Sequence, residues 1–85
     1  MSYSFREGIT TVKELASEIK AACDAYKRRE ITSDALKGHI LRYAHLYPDM
    51  MFEGNGYNPT VKKIVGQRRI ILMDVSLEGF QKSFL

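Results

Sequence analysis

Pro48, Gly54, Gly56 and Pro59 crowd into one short stretch, and on either side of it apolar residues recur at helical spacing. Proline lacks a backbone donor and fixes its own φ, so a helix ends before it or starts at it. The chain is thereby divided into two helical segments ahead of Pro48 and one helical run from Pro59 onward.

The first segment opens at Thr11, which stands three residues before Glu14 in the spacing of a capping box. Val12, Leu15, Ala16, Ile19, Ala22, Cys23 and Tyr26 then fall on one face at 100° per residue. Lys27, Arg28 and Arg29 close the segment, where positive charge suits the helix dipole. The pattern predicts a helix over about 11–29. The second segment has Thr32 as its cap, with Ile31 and Leu36 in hydrophobic-staple spacing. Leu36, His39, Ile40, Tyr43 and Tyr47 form its inner face, and Pro48 ends it, which predicts a helix over 33–47.

Residues 48–58 read as a loop, long for a helix–helix connection. Met50, Met51 and Phe52 suggest that it packs on the core as an apolar lid, and Gly54 and Gly56 permit positive φ at a turn.

The third segment starts with Asn58 as N-cap and Pro59 at the first helical position. As one continuous helix it places Val61, Ile64, Val65, Ile71, Leu72 and Val75 on one face, with Arg68 in the middle of it. Ile70, Met73 and Leu77 form a second apolar stripe on the opposite side, which needs another element or another molecule to cover it. A competing reading ends the helix at Gly66 and makes Ile70–Val75 a buried strand. A lone strand has no partner here, so a single helix is the expectation. The predicted fold is an all-α, compact three-helix domain with a long loop between the second and third helices. It is one domain over 1–85, with 1–10 and 79–85 as uncertain tails.

Composition narrows the function classes. Hydrophobic residues make up 45% of the 85, enough to order one small domain. A core of this size supplies only about 3–5 kcal/mol, so self-association or a partner would help it. The net charge of +3 permits nucleic acid or an acidic partner and argues against a DNA mimic. With Cys23 as the single cysteine there is no internal disulfide and no cysteine-based zinc site. Met1-Ser2-Tyr3-Ser4 lacks the pattern of a signal peptide, and no apolar run approaches a membrane span. The expectation is a cytoplasmic protein.

Little in the chain suggests catalysis. Cys23 falls on an apolar face, where a thiol is inert. His39 borders the inner face of the second helix, while His45 points outward. Six residues apart, they do not share one metal readily. Gly54-Asn55-Gly56 before a helix has the outline of an anion-binding loop, but the phosphate-binding fingerprints are incomplete, and a simple turn explains it as well. The reading is a non-enzyme with no metal, no cofactor and no small-molecule substrate.

The strongest chemical signal is basic. Between Gly54 and Met73 stand Lys62, Lys63, Arg68 and Arg69 with no acidic residue, and Lys27, Arg28 and Arg29 supply a second cluster. Such a stripe can neutralise phosphates in a sequence-tolerant, salt-dependent way. It can equally bind an acidic protein surface, or simply keep a small domain solvated. A helix-turn-helix is disfavoured by the length of the loop. The second candidate surface is apolar: Ile70, Met73 and Leu77, with Met50, Met51 and Phe52, form a protein interface or a symmetric homodimer contact. The segment Phe80–Leu85 folding back is an equal alternative cover.

Val12-Lys13-Glu14-Leu15-Ala16 and Asn58-Pro59-Thr60-Val61-Lys62-Lys63-Ile64-Val65-Gly66 resemble a family of small uncharacterised proteins from Gram-positive bacteria and their phages. The resemblance covers most of the chain and carries no catalytic motif. It implies a phage-linked accessory protein, a class that often acts by binding a host macromolecule. The lead expectation is therefore a regulatory protein that binds nucleic acid through a basic flank of the third helix. The alternative is a protein-binding regulator or inhibitor that acts through the apolar face of that helix.

Overall fold

A computed structural model describes residues 8–78. In chain order the elements are α1 (Val12–Lys27), α2 (Ser33–Leu46), α3 (Pro48–Met51), β1 (Phe52–Glu53), β2 (Gly56–Tyr57), α4 (Pro59–Val65) and α5 (Gln67–Ser76). The fold is largely helical, but it is not the three-helix domain that the sequence pattern predicts. The predicted loop is itself structured, and the predicted third helix is two helices.

The helix starts follow from local chemistry. Thr11 Oγ1 accepts from the Glu14 N–H at 3.1 Å, and Thr32 Oγ1 accepts from the Ala35 N–H at 3.1 Å. Asn58 Oδ1 accepts from the Thr60 N–H at 2.8 Å, one residue ahead of Pro59. Each cap satisfies a donor that has no partner within its helix. α1 ends two residues earlier than the charge cluster suggests, because Arg29 takes a left-handed φ of +61°. The Arg29 N–H then donates to the Tyr26 carbonyl and the Glu30 N–H to the Ala25 carbonyl, a Schellman closure with arginine where glycine is usual.

After α2 the chain makes one helical turn at Pro48–Met51 and then a minimal hairpin, with Phe52 opposite Tyr57 and Glu53 opposite Gly56. Gly54 has φ +61° at the first of the two turn residues, the position where a type II′ turn requires glycine. The Phe52 and Tyr57 rings stack at 5.9 Å, and the Asn58 N–H donates to the Met51 carbonyl at 2.8 Å, closing the excursion. Met51 is fully buried, with Met50 and Phe52 packed partly against the core, so this segment does cover the interior as an apolar lid.

The break in the third helical run is at Gly66, which has φ +86° and ψ 153°. Its N–H still donates to the Lys62 carbonyl, ending α4, while its carbonyl accepts from the Arg69 and Ile70 N–H groups, opening α5. One extended residue between two helices changes the rotational phase of everything after it. Ile70, Met73 and Leu77 turn toward the core, with Met73 fully buried. Ile71 and Val75, the predicted inner residues, are 61% and 62% exposed. The competing reading is right to end the helix at Gly66, but its strand fails, since residues 67–76 are helical.

The core joins Leu15, Ile19 and Cys23 of α1 to Ile40 and Tyr43 of α2, with Met51, Val61, Val65 and Met73 completing it. α1 packs most extensively on α4, and α5 lies on α2 and α4. Among the described residues, no helix is long and apolar enough to cross a membrane.

Candidate functional site

The position of Arg69 organises the basic surface. At 100° per residue Arg69 lies on the same side of α5 as buried Met73, so its guanidinium is drawn toward the neighbouring helix rather than to solvent. Arg69 Nε donates to Asp24 Oδ1 of α1 at 2.8 Å, and the same guanidinium donates to the Val65 carbonyl, the last of α4, at 3.1 Å. About a quarter of each side chain remains exposed, so the pair is screened and counts as a positioning contact more than as a large stabilising one. It fastens the start of α5 and the end of α4 to the C-terminal half of α1.

Each of the three helices joined by this contact carries exposed basic residues. Lys20 and Lys27 lie four residues before and three after Asp24, on the same face of α1, and both are exposed. Lys62 and Lys63 are exposed on α4, and Arg68 is exposed on the first turn of α5. Arg68 therefore does not project into a buried face as the single-helix reading predicts. Arg69 does point inward, and it is withdrawn from the phosphate-binding set because it is held by Asp24. Arg28 is also engaged, with its Nε 2.7 Å from Glu30 Oε2, and this hydrogen bond holds the Glu30 carboxyl below its ordinary range. Arg29 is exposed beside it.

The sequence reading omits Lys13 and Lys20. Their signal is the seven-residue recurrence Lys13, Lys20, Lys27 along α1, and all three are exposed. Seven residues return a helix to nearly the same face, so these lysines form a line along α1.

The predicted apolar interface is not available as drawn. Met51 and Met73 are fully buried, and Ile70, Leu77, Met50 and Phe52 are packed partly against the core. The physical reason is the phase change at Gly66 together with α3 and the hairpin, which carry Met51 and Phe52 inward. The exposed apolar residues of α5 are Ile71 and Val75 instead.

Cys23, His39 and Tyr57 are titratable groups off this surface. Cys23 is buried, and burial, with the adjacent Asp24 carboxylate, pushes its thiol up to about 11. Its thiolate is then a trace species near neutral pH. Native protein at pH 8 is expected to resist a thiol-specific disulfide reagent and to react stoichiometrically once unfolded. Prompt labelling of the native chain would contradict the buried placement. Partial burial, with the nearby Arg42 cation, lowers the His39 pKa from its ordinary value near 6.5. The Tyr57 hydroxyl donates to Asp74 Oδ1 at 2.7 Å and ties the hairpin to α5, and burial together with this carboxylate raises its pKa. Among the described residues, no group of three or more His, Cys, Asp or Glu is placed to hold a metal ion. A groove of about 600 Å³ runs between the end of α1, the start of α2 and the end of α5. Leu36, Leu72 and Val75 line its apolar part, and Asp34 and Glu78 at its rim give it mixed charge, so it does not extend the basic surface.

A family model described as "conserved hypothetical protein" matches residues 6–78. The chain belongs to this family. No curated protein and no solved structure matches it significantly. The family match spans both halves of the basic seam, α1 as well as α4 and α5.

Proposed function

We propose that the protein is a non-enzymatic, cytoplasmic regulatory protein that binds nucleic acid along the seam between α1 and the α4–α5 junction. One observation carries this reading: the Asp24–Arg69 contact joins α1, which bears exposed Lys20 and Lys27, to the α4–α5 junction, where α4 bears exposed Lys62 and Lys63. On this reading the two runs of charge, distant in sequence, act as one surface. Lysines on helical faces meet phosphates as point charges without reading bases, so the binding is tolerant of sequence and sensitive to salt. An accessory role of this kind suits the resemblance of 12–16 and 58–66 to small proteins of Gram-positive bacteria and their phages.

Fluorescence anisotropy with labelled duplex and single-stranded oligonucleotides tests the proposal. Four phosphate contacts predict a log–log salt slope of about −3 to −4 on duplex. Lys62→Glu with Lys63→Glu is expected to remove most of the binding while leaving the fold intact, since both side chains are exposed. The proposal fails if neither oligonucleotide binds at low salt, or if binding ignores those charge reversals.

The 61% and 62% exposure of Ile71 and Val75 favours a second reading, a protein-binding regulator or inhibitor. Binding of that kind would survive the lysine reversals and fail on Ile71→Asp.

A further inference from the structure

We propose that the protein pairs with a second copy of itself along the outer stripe of α5, the two helices running antiparallel about a two-fold axis at the level of Met73. This inference does not depend on nucleic-acid binding.

α5 buries Met73 and presents the opposite side to solvent. At 100° per residue, Arg68, Ile71, Val75 and Glu78 fall within an arc of about 80° centred opposite Met73. All four are exposed. Glu78 follows the end of the helix, but its N–H still donates to the Val75 carbonyl at 3.3 Å, which keeps it on the same turn.

The order of these residues is self-complementary. Ile71 and Val75 stand two residues before and after Met73, and Arg68 and Glu78 stand five before and after it. A two-fold axis at Met73 therefore sets Ile71 of one copy on Val75 of the other, and Arg68 of one against Glu78 of the other. The contact is isologous, so each pairing occurs twice. Neither Arg68 nor Glu78 makes an ion pair among the described residues. An unrelated protein partner would need no such symmetry in the stripe, which is why a second copy is the occupant we assign. The other exposed large apolar residue among those described, Leu46 on α2, shares a shallow depression with half-buried Leu41 and with Arg42 and His45, which offers no acid for a symmetric match.

A helix of ten residues is only about 15 Å long, so the contact is small and its association is weak and concentration-dependent. Sedimentation equilibrium of the nuclease-treated full chain, from low micromolar to near-millimolar concentration, is the direct measurement. The expected result is a weight-average mass rising from 9.7 kDa toward twice that value. Ile71→Asp is expected to raise the dissociation constant at least about tenfold, without a change in helicity or melting behaviour. Arg68→Glu and Glu78→Arg should each weaken the dimer, and the two combined in one chain should restore it. A strictly monomeric mass at the highest concentration overturns the proposal. So does a dimer indifferent to Ile71→Asp, and so does a failure of the charge exchange to restore association, because the antiparallel register requires it.

Discussion

Met73→Ala is expected to cost about 2–5 kcal/mol in urea denaturation at low protein concentration, while Ile71→Ala should change stability by less than about 0.5 kcal/mol. The difference follows from burial alone. Met73 is fully enclosed, so truncation leaves a cavity that the surrounding helices can only partly fill, whereas Ile71 is 61% exposed and leaves none. Small domains have only a few kcal/mol to lose, so the Met73 variant is expected to be substantially unfolded at room temperature. A single continuous third helix predicts the reverse order, with Ile71 in the core and Met73 outside. If Ile71→Ala proves the costlier change, the phase assigned to α5 is wrong, and with it the outer stripe on which pairing depends.

Gly66→Ala is the second decisive substitution. Within an ordinary helix, replacing glycine by alanine stabilises by roughly 0.5–1 kcal/mol. Here the sign should invert. Gly66 has φ +86° and ψ 153°, a combination reserved almost entirely for glycine, and holding another residue there costs about 1–3 kcal/mol. Crowding contributes little, because the nearest heavy atom to an added Cβ would be Arg69 Nη1 at 3.8 Å, an ordinary contact. The midpoint of chemical denaturation should fall, and a midpoint that rises would mean that α4 and α5 are one helix. A loss of stability here would also disturb the Asp24–Arg69 contact, since Gly66 sets the direction in which Arg69 leaves α4.

These two residues mark where reading the sequence succeeds and where it stops. Thr11, Thr32 and Asn58 are legible as caps because their chemistry is local, and the buried faces of α1 and α2 are legible because each helix is long enough to show its period. A break at Gly66 is legible as one of two candidate readings, but not as a break followed by a second helix. A glycine inside an apolar helical pattern costs a helix only about 1 kcal/mol, and nothing nearby reveals that its φ is positive. Every inward and outward assignment after it, including the exchange of roles between Arg68 and Arg69, inherits that one unknown. The hairpin at Phe52–Tyr57 is hidden for another reason: two-residue strands are too short to show alternation. Of the candidate site, Lys62, Lys63 and Lys27 are found in the sequence and are exposed. The contact that ties α1 to α5 is not foreseeable, because it depends on Asp24 meeting a residue 45 positions later.

That same separation bears on how the chain acquires its structure. The broadest packing is between α1 and α4, and the Asp24–Arg69 ion pair joins α1 to α5. Helical domains usually fold fast because neighbouring helices meet first, and closing a longer loop raises the entropic barrier. Here α1 finds its most extensive partner, α4, only after the hairpin has turned the chain back. On a ribosome α1 and α2 would emerge able to cover only part of each other's apolar faces, and the core would close only once the segment around Met73 has followed.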